Sequence, residues 1–306
     1  MARNNKESKR ILIILLIIFI LVSAFSFIYY EYQYKIIKKE VKDESSLKVY
    51  DDEITNDNNR IQEINEEIQK INNINIENTK QECYKEIKKL EDRILDGKSK
   101  AKIAYLTFDD GPYYRTYKFL DTLDKYKIKA TFFTTNVNGT YCWDNSDYNC
   151  HALYKEYAKR GHTIANHTYT HAIFKGLYSS KNSFIQAVKD QEKLVKEETG
   201  YTTRILRFPG GSATAGSLKS SIVEELRKMG YGYVDWTASV GDGGKLASSD
   251  KAYSNFVNSI NEKIEVVLMH DYSKKTLDAL PREIEYLNKN GYLILPLFYE
   301  STMIKK

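Results

Sequence analysis

Cysteine is scarce in this chain. Three in 306 residues are too few for a disulfide scaffold, or for a structural zinc cluster built on thiolates at short spacing. Cys142 and Cys150 lie close together in a polar, aromatic loop, near enough for one local bridge, which leaves Cys83 over. A strong excess of either charge is also missing. The formal net charge is +5, and Lys and Arg alternate with Asp and Glu rather than gathering in a basic block, so nothing favours nucleic acid as a partner. Proline numbers only four, against an abundance of Lys, Asn, Ile and Tyr, a bias that carries no chemical information. The hydrophobic content of 42% suffices for one sizeable domain with appendages.

Charge is wholly absent from residues 11–30 (ILIILLIIFILVSAFSFIYY), long enough as a helix to cross the roughly 30 Å hydrocarbon core of a bilayer. Arg3, Lys6, Lys9 and Arg10 precede this run, so the positive-inside rule keeps residues 1–10 in the cytoplasm and puts everything after Tyr30 outside. A cleaved signal peptide is the alternative, with small residues at Val22-Ser23-Ala24. The apolar run continues past that point to Tyr30 and favours a single-pass anchor in the cell membrane. Residues 31–100 read as an extracellular helical stalk and linker. Ile61, Ile64, Ile68 and Ile71 repeat at helical spacing, as do Ile87, Leu90 and Ile94. The stripe fits either self-association of the stalk or a helix laid on the neighbouring domain.

Residues 101–306 read as one further domain. From Lys102 short apolar runs alternate with helical patterns, as in an α/β domain. Strands are expected at 103–108, 130–134, 162–166, 205–208, 232–236, 266–269 and 292–295. Helix faces are expected around Phe184–Val195, Leu218–Met229 and Ile284–Leu287. A distorted (β/α) barrel suits this alternation better than a doubly wound sheet, though periodicity leaves both open.

Polar clusters close these strands. Asp109 and Asp110 stand side by side in Thr107-Phe108-Asp109-Asp110-Gly111-Pro112; with a cation on one carboxylate, the other is free to act as a base. The same residues also suit a solvated turn. His167 and His171, at i and i+4, face one way over a helical turn and can reach one ion. Three of the five histidines fall between 162 and 171, His162 among them as a candidate surface residue. Two His and one carboxylate leave positions open for water and substrate, as catalytic metal sites do. Arg207 opens Arg207-Phe208-Pro209-Gly210-Gly211-Ser212, where arginine favours ionised carboxylates and glycine lets backbone approach a ligand. Asp235-Trp236 and Leu268-Met269-His270-Asp271 close two further strands. In a barrel such ends converge on one face.

At these residues the chain resembles the polysaccharide deacetylases that share a NodB homology domain (carbohydrate esterase family 4). The resemblance covers about residues 103–300 and carries five motifs in order: TFDDG at 107–111, HTYTH at 167–171, RFPGG at 207–211, DW at 235–236 and LMH at 268–270. It implies Asp109 as general base, His270 as general acid, and Asp110, His167 and His171 as ligands of a divalent metal, with zinc favoured and cobalt or another divalent ion as alternatives. It further implies that Arg207 orients Asp109, that Asp235 pairs with His270, that Trp236 and Leu268 line the acetyl pocket, and that the Gly210 N–H faces the oxyanion. Many relatives carry an aromatic residue where this chain has Gly210, so one wall of the groove is missing. RFPGGS looks most like the form in peptidoglycan deacetylases of anaerobic Gram-positive bacteria. The expected reaction is deacetylation of cell-wall N-acetylglucosamine, with lysozyme resistance as its result. Another polysaccharide (an exopolysaccharide, chitin oligomers or xylan) and a non-catalytic glycan-binding role are the alternatives.

Overall fold

The computed structural model describes residues 76–142, 145–299 and 301. The apolar run at 11–30 and the isoleucine stripe at 61–71 lie outside these residues. Among those described, no helix is long and apolar enough to cross a membrane.

The elements in chain order are α1 (Ile76–Leu95), β1 (Lys102–Asp109), α2 (Thr116–Lys125), β2 (Thr131–Thr134), α3 (Ala152–Lys159), β3 (Thr163–Asn166), α4 (Lys181–Thr199), β4 (Ile205–Leu206), α5 (Lys219–Lys228), β5 (Gly232–Tyr233), β6 (Ala238–Ser239), α6 (Ser249–Ser259), β7 (Ile264–His270), α7 (Lys274–Lys289) and β8 (Tyr292–Leu295). All eight strands are parallel and belong to one sheet, seven of them in the order β5-β4-β3-β2-β1-β7-β6 and β8 branching off β1. β1 is the hub. It pairs with β7 along its length, with β8 through Lys102–Tyr105 and with β2 through Thr107–Asp109. Among the described residues no pairing joins β5 to β6, so the sheet is a distorted half-barrel rather than a closed one.

Strand β1 is buried from Ile103 to Asp109, because both of its faces are covered. Alternate residues divide between two cores. Ala104, Leu106 and Phe108 meet the outer helices through Phe119, Leu123, Tyr157 and Leu280. Ile103 and Tyr105 face inward with Phe133, Ala165, Ile205, Val234 and Val266. The inner core is completed by α1, whose Ile87, Leu90 and Ile94 are buried in it. Tyr84 stacks on Phe298 with ring centroids 4.8 Å apart, and the Tyr105 hydroxyl donates to buried Glu91. Of the two readings open for the 87–94 stripe, the structure shows the helix laid on the domain.

The helices α2, α3 and α6 and the two-residue strand β6 have no counterpart in the expected elements. The second and third are 8 and 11 residues long, and β6 is too short for alternation to show. Cys142 and Cys150 are joined by a disulfide. His162, expected as a surface residue, is buried against Phe132. Its Nδ1 accepts the Ala130 N–H at 3.1 Å, and burial drives its pKa down to about 3.

If α1 is part of the core, Ile87→Ala costs about 2–4 kcal/mol, as other buried large-to-small changes do. Chemical denaturation of the full-length protein measures it. A helix that only spaces the domain from something else would tolerate the change without loss.

Candidate active site and metal centre

Parallel strands bring all their carboxyl ends to one edge, and the polar clusters sit there. Asp109 ends β1 and His270 ends β7, while Asp110, His167 and Arg207 directly follow β1, β3 and β4.

The Asp110 Oδ1 lies 3.4 Å from His167 Nε2 and 3.2 Å from His171 Nε2. One ligand atom from each residue falls within 4.8 Å of the other two. The two histidines do not share a helical turn. Residues 167–171 form an irregular loop in which Thr168 and His171 have φ of 65° and 48°, and this winding brings the rings to a 4.9 Å centroid separation. His167 Nδ1 lies 2.7 Å from the Arg207 carbonyl, so Nδ1 donates and Nε2 turns a lone pair toward Asp110. Burial, followed by the charges of His171 and Arg207, keeps His167 well below the usual histidine pKa. The buried Asp110 Oδ1 accepts no hydrogen bond. Lone pairs facing one another without a proton between them repel, and an orphaned buried acceptor is costly. A cation relieves both. Two imidazoles and one carboxylate are the donor set of a catalytic zinc or similar divalent site.

Asp109 is nearly fully buried. Its Oδ1 accepts from Arg207 Nη1 at 2.8 Å, and its Oδ2 lies 3.7 Å from His167 Nε2. Burial pushes the Asp109 carboxyl above its ordinary range, and the Arg207 and His270 charges pull against that.

His270 has a different partner from the one expected. Its Nδ1 is 2.7 Å from Asp242 Oδ1, its backbone N–H donates to Asp242 Oδ2 at 2.9 Å, and Thr276 Oγ1 donates to that same oxygen. Asp235 is engaged elsewhere. Its Oδ1 and Oδ2 accept the Ser212 N–H and hydroxyl at 2.8 and 2.6 Å, and its carbonyl accepts from Arg207 Nη2. The reason lies in strand order. β6 pairs with β7, Ser239 opposite Leu268, which carries Asp242 to His270, whereas Asp235 follows β5 beside β4 and braces the Pro209–Ser212 turn. The glycines around Asp242 were its one sequence signal. A Cβ on Gly243 would stand 3.2 Å from His270 Cε1, so the glycine lets that loop lie close against the imidazole.

Trp236 and Leu268 are half-buried near this cluster. The Trp236 ring is 6.0 Å from the Arg207 guanidinium, and a Cβ on Gly211 would meet it at 3.0 Å. Gly210 is exposed with φ of 74°, and a Cβ there would come 2.9 Å from Thr214 Oγ1. The left-handed backbone of this turn therefore favours glycine, and a side chain there would have to displace Thr214.

The family model described as polysaccharide deacetylase matches residues 96–234. A putative polysaccharide deacetylase of Bacillus subtilis, YheN, is 32% identical over 216 residues, 66% of this chain and 69% of that protein. A peptidoglycan-N-acetylglucosamine deacetylase of Bacillus cereus is 30% identical over 203 residues, 65% of this chain and 70% of that protein. The catalytic domain of peptidoglycan N-acetylglucosamine deacetylase from Eubacterium rectale superposes with a TM-score of 0.61 at 35% identity, covering 67% of this chain and 92% of that one.

The His270 partner is testable through pH. Burial alone would lower the His270 pKa, but the hydrogen bond and charge of Asp242, with Asp110 and Asp109 behind them, raise it from 6.5 to about 9. A folded-state pKa above the unfolded one stabilises fully below pH 6.5, and that contribution is lost as pH rises through 9. Metal-free protein should therefore lose on the order of 3 kcal/mol of stability across that window. Asp242→Asn should remove most of this slope and Asp235→Asn should leave it, as followed by denaturant titration at a series of pH values. The reverse pattern would return the pairing to Asp235.

Proposed function

We propose that this chain, which belongs to the polysaccharide deacetylase family and so is a hydrolase of the amide bonds of polysaccharide N-acetyl groups, acts on cell-wall peptidoglycan with N-acetylglucosamine as its sugar. Three features support the substrate: the RFPGGS turn, the deacetylases of that name among its relatives, and the charge-free run at 11–30, which we read as an anchor holding the domain outside the cell membrane. The observation that carries the chemistry is the convergence of Asp109, Asp110, His167, His171, Arg207 and His270 at one sheet edge.

Asp110, His167 and His171 would hold the divalent ion, zinc by preference. Bound there, it would polarise the acetamide carbonyl and make water more acidic. Asp109, fixed by Arg207 with Oδ2 toward His167, takes the proton of the attacking water. The backbone N–H of Gly210 makes no hydrogen bond among the described residues and serves the developing oxyanion. His270, kept charged by Asp242, gives its proton to the departing amine. Acetate and a glucosamine unit result. The hydrolysis removes an acetyl group that muramidases recognise, which would make the wall resistant to lysozyme.

Full-length protein incubated with purified peptidoglycan should release acetate. A chelator should abolish this and zinc restore it, and Asp109→Asn, which keeps a partner for Arg207, should lower kcat by about two to four orders of magnitude. Treated wall should resist lysozyme. Release only from chitin oligomers, an exopolysaccharide or xylan would replace the substrate, and no release from any glycan by metal-loaded protein would leave a binding role in its place.

A further inference from the structure

A strip of tyrosines leads outward from the general acid. The Tyr272 ring lies 5.1 Å from the His270 ring, and its hydroxyl donates to the Asp242 carbonyl at 3.1 Å. The Tyr272 carbonyl in turn accepts from Arg115 Nη1 at 2.6 Å. The Arg115 guanidinium covers the Tyr114 ring, 4.7 Å from its centroid, and donates to the Tyr114 hydroxyl. Tyr148 stands 5.8 Å from Tyr114 and 6.3 Å from Tyr117, tilted 48° to both. Tyr272, Tyr114 and Tyr117 are half-buried, whereas Tyr148 is 41% exposed. These rings are therefore held by neighbours while keeping a face or an edge toward solvent.

Two features set the strip apart from scattered surface aromatics. It is continuous with the active site, since Tyr272 touches the His270–Asp242 pair itself. Its outer end is also fixed by a covalent bond, because Tyr148 lies between the joined cysteines Cys142 and Cys150, and its N–H and C=O are both used within that loop. Rigid aromatic rings with a polar tip offer large contact area at little entropic cost. A pyranose presents alternating C–H faces and hydroxyl edges, so it meets such rings with both stacking and hydrogen bonds. A polymer of pyranose rings that continues past the reacting sugar is the occupant this geometry suits, and a partly exposed aromatic strip joined to a reactive centre marks a binding surface.

We propose that Tyr272, Tyr114, Tyr148 and Tyr117 form an extended subsite for the polysaccharide on the His270 side of the reacting sugar, holding pyranose units beyond the one that is deacetylated. The inference rests on the deacetylase reading for its polymer, and it predicts a dependence on chain length that the catalytic residues do not produce. The rings contribute binding shared by ground and transition states, so their loss falls on KM and spares kcat.

The test uses full-length protein, zinc-loaded, with N-acetylglucosamine oligomers from the disaccharide to the hexasaccharide. Wild type should show kcat/KM rising with length. Tyr148→Ala, remote from the reacting atoms, should lower kcat/KM on the hexasaccharide about three- to tenfold through KM, leave the disaccharide unchanged, and be rescued by Tyr148→Phe. Equal loss at every length, or no loss at any, would overturn the proposal. Calorimetric binding of the hexasaccharide to Asp109→Asn with and without Tyr148→Ala judges the strip independently of turnover. If neither the oligomers nor peptidoglycan is hydrolysed but Tyr148→Ala still weakens binding, the reaction assignment falls and the subsite stands; if hydrolysis proceeds and binding is unaffected, the subsite falls alone.

Discussion

The buried ion pair between Arg207 and Asp109 is the constraint around which the rest of the site is arranged. Arg207 is fully buried and Asp109 nearly so, and burial pushes both toward their neutral forms, the carboxyl up and the guanidinium down. Removing two charges from water costs more than their attraction returns unless the remaining donors are met. The structure meets them. Besides Asp109, Arg207 donates to Thr107 Oγ1 at 2.7 Å and to the carbonyls of Val234 and Asp235 at 3.3 and 2.9 Å, and its plane lies over Phe133, 4.2 Å from the ring centroid. One side chain thus ties β1, β2, β4 and the segment after β5 together. Lysine has neither the planar fork nor the five donors for this. A pair this costly is a poor device for stability and a good one for placing a carboxylate.

A second cost lies in the backbone. Asp110, Thr168 and His171 are non-glycine residues at φ of 71°, 65° and 48°, each a conformation worth roughly 1–3 kcal/mol of strain. Two of the three are metal-ligand candidates and the third lies between His167 and His171. Asp110 is turned sharply out of β1 while Asp109 stays in line with it, and that difference points two adjacent carboxylates at different neighbours, Asp110 at His171 and Asp109 at Arg207. Gly111 completes the bend, because a Cβ there would come 2.5 Å from Asp271 Oδ2. The buried faces of β1, supported by two hydrophobic cores, supply the stabilisation that lets the strain persist.

Much of the site was legible because its residues follow strands whose apolar runs are unmistakable. β1 and β7 carry Asp109 and His270 at their ends, and β3 leads directly to His167. The convergence of His167 and His171 was also readable, although it arises from left-handed loop residues and not from a helical turn. Asp242 was not readable. It follows β6, a strand of two residues with no period to detect, and its relation to His270 exists only through the β6–β7 pairing. Asp235 was paired with His270 on the resemblance to the deacetylase family alone, and chain position says nothing about which neighbour a strand chooses. The stripe Ile87, Leu90, Ile94 showed that a helix face would be buried but not against what; the open inner face of the half-barrel was the missing information.

The two buried carboxylate–cation pairs in the site have the same construction and opposite consequences. Asp109 faces Arg207, a cation that does not surrender its proton, so the pair's only mobile proton is one that Asp109 receives. Asp242 faces His270, a cation that titrates, and holds it up to about 9, so this pair has a proton to give. In the proposed reaction the choice of cation would therefore decide which pair serves as base and which as acid. Both pairs open toward Asp110, with His270 Nε2 3.7 Å from its Oδ2 and Asp109 Oδ2 3.7 Å from His167 Nε2, itself 3.4 Å from Asp110 Oδ1. A carbonyl carbon held beside Asp110 would then have a proton acceptor on one side and a proton donor on the other. Amide hydrolysis needs that arrangement, because water must lose a proton as it attacks and the amine must gain one as it leaves.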